Sequence, residues 1–539
     1  MALILVIALL LSLTTQAYEF NSFAAWETPQ SIMQKTESTL VLKDPGYAYA
    51  SIGENNWSDY QLKLKLKPLS YGKNSVLRLF FRQDFLWNSY SLDITSEKSQ
   101  IVRYDGTWEK YKVLTNGRGI KAGEEVEITL EAKEDLFKVY FNEELVMETD
   151  STKFKTGKIV LFSENVAFEA KDPRLQGTFD EEYSTRDLGY FPKGDPQGGG
   201  VEHMVLIYGN VGTKWGLTEA YPYVGYLTSL EESNYEIDFK DYMFDSALFL
   251  ALTAPNGHAF DSPNRGKPAV KEHWQWYMDS LFAEGQQLAA FNEAIGLVNE
   301  QLGQEKKLKI YIMIPNPMAE TSNFGDVDGT GSLNFTLKDA EANKEQRFKA
   351  VKWYVDSVLD RYRTAQYENL ELIGFYWVEE IINRRIPGEI ELLKTISDYL
   401  HTKELKYSWI PYFGVDGRRE YEKLGFDLCI YQPNYMFGAD IPPSRLLETA
   451  KEAYKYRLGV EIEADYTVLS TLKGREKFRD YLRAGLSYGF MNEATVAYYQ
   501  DVKVFGSAAL SSSPEQRQVY DDLYKFIKGT WEEPLESRK

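Results

Sequence analysis

Leu308–Ile314 reads LKIYIMI and Leu372–Val378 reads LIGFYWV, and both stretches are almost continuously apolar. A strand with one wetted face alternates apolar and polar residues. A strand covered on both faces, as in a parallel sheet, reads instead as an unbroken apolar run. Working outward, six more runs of this kind appear: His203–Tyr208 (HMVLIY), Ala247–Thr253 (ALFLALT), Tyr407–Phe413 (YSWIPYF), Phe426–Gln432 (FDLCIYQ), Leu458–Ile462 (LGVEI) and Thr495–Gln500 (TVAYYQ). Amphipathic stretches separate them, at 273–302, 343–367, 389–403, 444–457, 475–488 and, after the last run, 514–528. Eight alternating units across residues 201–530 predict a (β/α)8 barrel. Only short helical stretches are visible after the first and fifth runs. A doubly wound open sheet is the rival fold, and no glycine-rich phosphate loop follows any of the runs to support it.

The N-terminal third has the other periodicity. Gln61–Leu66 (QLKLKL) alternates strictly, the mark of a half-buried strand. Further short runs follow at 75–81, 90–94, 101–104, 126–130, 137–141 and 158–162, bounded by turn residues and with no helical stretch between them. This pattern predicts an all-β sandwich of jelly-roll type over residues 18–172. The order of the segments resembles the concanavalin-like modules that accompany polysaccharide-degrading enzymes, which implies a possible carbohydrate-binding module. Lys171-Asp172-Pro173 and the stretch 192–200 (PKGDPQGGG) mark a linker over 173–200, because Pro and Gly at this density continue neither strand nor helix.

Composition narrows the class. The chain has 539 residues and a formal net charge of −19, which argues against a phosphate backbone as partner. Aromatics reach 14%, with 38 Tyr and 11 Trp, side chains whose flat apolar face and polar edge suit sugar rings as well as large cores. Residues 1–17 read as an export signal: an apolar run from Leu3 to Leu13, then Thr15-Gln16-Ala17. No second long apolar stretch follows. The expectation is therefore a secreted or cell-surface protein without membrane insertion once the signal is removed. Cys429 is the sole cysteine, sits in an apolar run, and allows no internal disulfide.

In a (β/α)8 barrel the chemistry sits where the strands end. Here they end in Tyr208-Gly209-Asn210, Pro315-Asn316-Pro317, Trp377-Val378-Glu379-Glu380, Pro411-Tyr412-Phe413, Gln432-Pro433-Asn434-Tyr435, Glu461-Ile462-Glu463-Ala464-Asp465 and Tyr498-Tyr499-Gln500. Amides and carboxylates grip hydroxyls, and aromatic rings stack on sugars. Tyr208, Asn316, Trp377, Tyr412, Gln432, Asn434, Tyr435, Asp465 and Tyr499 are accordingly the candidate substrate-binding residues. Glycoside hydrolysis needs two carboxyl groups, a proton donor and a nucleophile or base. Strands four and seven each end in a pair of glutamates, Glu379 and Glu380, Glu461 and Glu463. Many barrel glycosidases carry their acid/base and nucleophile at those two strand ends, so the likeness of placement makes these four the candidate catalytic residues. Within each pair the assignment stays open. Glu461 and Glu463 share a face, with Glu463 nearer the rim; Glu380 shares parity with Tyr376, and Glu379 with Trp377.

The set Gly374–Glu380 (GFYWVEE), Trp409–Phe413 (WIPYF), Gly425–Asp427 (GFD) and Tyr431–Tyr435 (YQPNY) resembles the DUF4855 family of exported bacterial proteins, the YQPNY segment most specifically. The resemblance implies an exported barrel near the glycoside hydrolases and supplies no substrate.

Other chemistry finds little support. His203, His258, His273 and His401 have no metal-ligand spacing, though His258 lies after strand two, within reach of the rim. Asp326–Gly331 (DVDGTG) begins like a calcium loop, but its twelfth position is Leu337, so an acidic turn is expected. No cofactor or metal is called for. Two other functions stay open. A polysaccharide lyase could use Arg384, Arg385, Arg418 and Arg419 to neutralise a uronate, and an inactive barrel could serve as a glycan-binding surface module.

Overall fold

The structure is a computed structural model, and it describes residues 17–26, 28, 33–53, 57–83, 88–105, 111–178, 188–228, 237–438 and 441–533. The export signal, apart from Ala17, lies outside the described residues. The chain forms two compact units, residues 1–186 and 187–539.

The first unit is an antiparallel sandwich. Its backbone is two long strands, Tyr60–Gln83 and Lys158–Thr178, which pair with each other within one hydrogen-bonded network of 12 strands. The first half of Tyr60–Gln83 pairs with Val126–Lys133, and the second half with Asn88–Ile94. The alternation of QLKLKL does what its period requires: Leu62, Leu64 and Leu66 are buried in the core. One boundary differs from expectation. Lys171-Asp172-Pro173 does not open a linker, because the strand Lys158–Thr178 runs through it. The register shifts between Lys171 and Arg174, and Asp172 sits at φ +50, so a bulge absorbs the proline that a regular ladder would reject.

The second unit is a closed parallel barrel of eight strands. They are β1 (His203–Tyr208), β2 (Ser246–Leu250), β3 (Leu308–Ile314), β4 (Leu370–Trp377), β5 (Lys406–Trp409), β6 (Leu428–Tyr431), β7 (Gly459–Glu463) and β8 (Val496–Tyr499). Pairing of β8 with β1, Val496 opposite His203, closes the ring and excludes the open sheet. The helix after β1 is the eight-residue Leu217–Val224, and β5 is followed by a single 3-10 segment, Arg418–Leu424. The stretch 273–302 proves to be two helices, Lys271–Leu281 and Gln287–Leu302, separated by a turn with Gly285 at φ +65. Among the described residues no helix is long and apolar enough to cross a membrane.

Residues 188–200 belong to the barrel rather than to a free linker. They cross the end where the strands begin: Phe191 N–H donates to the Leu458 carbonyl at 3.0 Å, and Tyr311 hydroxyl donates to the Gly198 carbonyl at 3.2 Å. Gly199, at φ +71, lies so close that a Cβ would meet Ile373 at 2.0 Å, which explains a glycine there.

A buried ion pair fixes the opposite rim. Arg347 and Glu389 meet at 2.5 Å with side chains 0% and 3% exposed, and Arg347 Nε also donates to the Pro317 carbonyl at 2.7 Å. The pair ties the loop after β3 to the helix Glu389–His401. Removing one partner leaves an unpaired buried charge, so Glu389→Ala is expected to destabilise the barrel by about 3–5 kcal/mol. Denaturant unfolding of the two proteins measures the difference; a loss under about 1 kcal/mol would show the pair to be dispensable.

Candidate active site

The strand ends bring two groups of carboxyls together at one rim. Glu380 is half-buried. Burial is the main force on its carboxyl and Asp261 adds to it, so that against the Gln432 amide and Arg265 it sits at about 7. Glu379 points elsewhere: its Oε2 accepts from Asn316 Nδ2 at 3.1 Å, and its Oε1 from the Ile381 N–H at 3.3 Å. Burial and the nearby Asp261 hold its carboxyl well above the usual range. The parity of strand four thus separates the pair. Tyr376 shares the field of Glu380 and Glu461, whereas Trp377 is fully buried and presents no face to a ligand.

The β7 pair divides as sharply. Glu461 is 3% exposed and accepts no hydrogen bond from any described residue. Burial, then the charges of Glu463 and Glu380, hold its carboxyl well above the ordinary range, which favours its protonated form. Glu463 is 0% exposed and surrounded by donors. Its Oε1 accepts from the Asn434 N–H at 2.8 Å, and its Oε2 from the Met436 N–H at 3.3 Å and from the Tyr481 hydroxyl. Burial raises it, these donors pull it back, and it rests at about 7. Asn434 has φ +49, a left-handed conformation that Asn tolerates better than most residues. This conformation lets two backbone N–H groups converge on one carboxylate, a small anion nest. The Gln432-Pro433-Asn434-Tyr435 segment therefore builds the seat of Glu463. Asn434 Nδ2 also donates to Gln432 Oε1 at 3.0 Å, while Gln432 steadies Glu380, so one amide chain links the two strand ends.

The other candidates take varied places. Tyr208 and Tyr499 meet edge to face at 5.7 Å, and Tyr499 meets the half-exposed Phe437 at 5.2 Å, forming an aromatic wall beside Glu461. Tyr412 is 42% exposed at the rim. Asn316 is buried and donates to Asp261 O at 2.8 Å as well as to Glu379. Asp465 lies just before a short helix, Thr467–Ser470, and accepts from the Thr467 N–H at 2.9 Å. Tyr435 turns behind the rim, where its hydroxyl donates to Asp480 at 2.9 Å. Neither Trp377 nor Tyr435 is thus placed to stack on a sugar.

Asp261, Arg265, Tyr376, Tyr481 and Phe437 escaped the sequence reading. Asp261 and Arg265, paired at 2.7 Å, come from the loop after β2, and Tyr481 comes from the helix Leu472–Tyr488. Their contribution depends on tertiary placement, and only the parity of Tyr376 with Glu380 was available as a signal. His258 stacks on His273 at 3.9 Å and its Nδ1 lies 3.1 Å from the Pro255 carbonyl. The Asp326–Gly331 turn is held by its own backbone, with Asp326 Oδ1 accepting from the Gly329 N–H at 2.7 Å. Among the described residues no three His, Cys, Asp or Glu side chains are grouped to hold a metal.

A parallel barrel with carboxyls, amides and aromatics gathered at the strand ends defines a class of protein whose site is built from those ends. Residues 203–525 match the family described as a domain of unknown function, DUF4855, and the chain belongs to that family. No curated protein matches the chain. Among solved structures, this chain is similar to the carbohydrate binding module CBM66 from Bacillus subtilis, with 16% identity over 28% of this chain and 96% of that one, at a TM-score of 0.26. A Bacillus subtilis protein of unknown function with a galectin-like fold has 11% identity over 30% and 96%, at 0.25. A Bacillus licheniformis β-glucanase has 12% identity over 30% and 98%, also at 0.25.

Proposed function

We propose that the protein is an exported glycoside hydrolase acting on a polysaccharide or complex glycan. The observation that carries this reading is the division of labour between two strand ends. Glu380 is a reachable carboxyl held at about 7, fit to donate a proton near neutrality. Glu463 is seated among donors that favour its charged form. In the proposed reaction Glu380 protonates the glycosidic oxygen as the bond to the anomeric carbon breaks. Glu463 supplies the negative charge opposite, as nucleophile or as base toward water, and Glu461 stays protonated behind it. The exposed Phe437, backed by Tyr499, stacks on a sugar ring. Glu463 has no exposed surface, so the reaction requires the Asn434–Met436 segment to shift when a sugar enters.

Elimination at a uronate is less well served. Arg418 and Arg419 are buried against Glu452, at 2.8 and 3.0 Å, and Arg384 pairs with Glu420. These cations are already spent on partners within the chain.

The test is release of reducing ends from a panel of neutral and acidic polysaccharides, with ultraviolet absorbance followed in parallel. Reducing ends without an unsaturated chromophore are expected. A chromophore would establish a lyase, and glycan binding with no release would establish a binding module.

The pH dependence follows from the same carboxyls. Glu380 must hold its proton and Glu463 must have lost its own. Activity is therefore expected to fall as pH rises above about 7, where Glu380 ionises, and as pH falls below about 7, where Glu463 takes up a proton. The charge of Glu463 also raises Glu380, so the two limbs belong to the site rather than to single residues. A kcat/KM profile flat from pH 5 to 9 would remove both assignments.

A further inference from the structure

The sandwich carries a second apolar cluster that its fold does not need. Its core holds Leu77, Leu79 and Phe81, alternate residues of the strand Tyr60–Gln83. The residues between them face the other side of the sheet, where polar side chains are the rule for a wetted face. There Phe80, Val102, Tyr104 and Val160 form a separate buried cluster, with Val113 and Phe162 packed on it. This cluster floors an open cleft of ≈ 630 Å³.

Polar groups are fixed over that floor. Arg78 Nη1 donates to Glu164 at 2.5 Å and its Nε to Asp93 at 3.4 Å, while Asp93 also accepts from Tyr104 hydroxyl at 2.8 Å and from Ser91 at 2.6 Å. The side chains of Arg78 and Asp93 are only 12% and 13% exposed, so the network is rigid rather than a loose surface pair. On the walls stand Tyr111 and Tyr47, 61% and 59% exposed, each in ring contact with the floor, Tyr111 with Tyr104 at 6.2 Å and Tyr47 with Phe162 at 6.5 Å.

We propose that this cleft binds a neutral oligosaccharide. A sugar ring presents C–H faces to flat aromatic rings and hydroxyls to planar groups of fixed direction, and the cleft offers both. One cation against two carboxylates leaves its charged groups at a formal −1, which disfavours uronates, sulfated sugars and phosphate backbones. The site is separate from the barrel rim and stands whether or not the barrel hydrolyses glycans.

Affinity electrophoresis of the full chain tests it, with gels containing β-glucan, mannan, xylan or levan, and polygalacturonate as the acidic comparison. Glu380→Gln is the starting protein, so that the polymer stays intact. Retardation by at least one neutral polymer is expected, weakened tenfold or more when Tyr47→Ala and Tyr111→Ala are added. If that protein does not fold, Gln100→Ala on the cleft wall gives the same reading. Three outcomes would overturn the proposal: no retardation by any neutral polymer, retardation unchanged by the cleft substitutions, or retardation by polygalacturonate alone. In the chain with native Glu380, reducing-end release reports on the barrel independently, so loss of one function is not mistaken for loss of the other.

Discussion

Glu380→Gln is expected to lower kcat on a polysaccharide by about a thousandfold while leaving glycan affinity within about threefold. A positioned general acid contributes on the order of 10²–10⁴ in rate, and the amide cannot donate the proton that a sugar leaving group requires. Dependence on the leaving group makes the assignment specific. An aryl glycoside with a strongly acidic phenol leaves without protonation, so on such a substrate the loss at the bond-breaking step is expected to shrink to tenfold or less. Equal losses on both substrates would mean that Glu380 positions the sugar and donates no proton. Glu379→Gln supplies the contrast. Its carboxyl is bound by Asn316 and the Ile381 N–H, so its effect is expected to be alike for good and poor leaving groups.

The second large effect separates the β7 glutamates. Burial and the neighbouring carboxyls favour the uncharged form of Glu461, and Gln is nearly the same shape as a protonated Glu. Glu461→Gln is therefore expected to keep activity within about tenfold. Glu463→Gln removes the charge that the Asn434 and Met436 N–H groups and Tyr481 are arranged to hold, and a loss of about 10³ or more is expected. Initial rates of the two variants at pH 7 settle the matter. The reverse order would make Glu461, which shares its surroundings with Tyr208 and Tyr376, the reacting carboxylate and Glu463 the anchor of the turn after β6.

Physical reasons explain what could be read from the chain beforehand. Barrel strands are buried on both faces, so they stand out as apolar runs, and all eight were legible with ends displaced by a few residues. The connection after β5 was faint because it is a 3-10 segment, too short to show a helical period. Pro173 misled because local composition cannot reveal a bulge that carries a strand past a proline. At the site, strand ends located the glutamates, but parity could not say which was seated and which was bare. That depends on donors from the turn after β6 and from a helix, Tyr481 above all. Trp377 and Tyr435 have the right chemistry for sugar and the wrong direction, one buried and the other bonded to Asp480.

Hydrolysis itself is tested most directly by running the reaction in ¹⁸O-labelled water on the best polysaccharide of the panel, with mass spectrometry of the new ends. One ¹⁸O at each new reducing end is expected with the native chain, and no new ends above background with Glu380→Gln or Glu463→Gln. Products without label, or labelled products formed equally by all three proteins, would contradict a barrel that cleaves glycosidic bonds through the glutamates of strands four and seven.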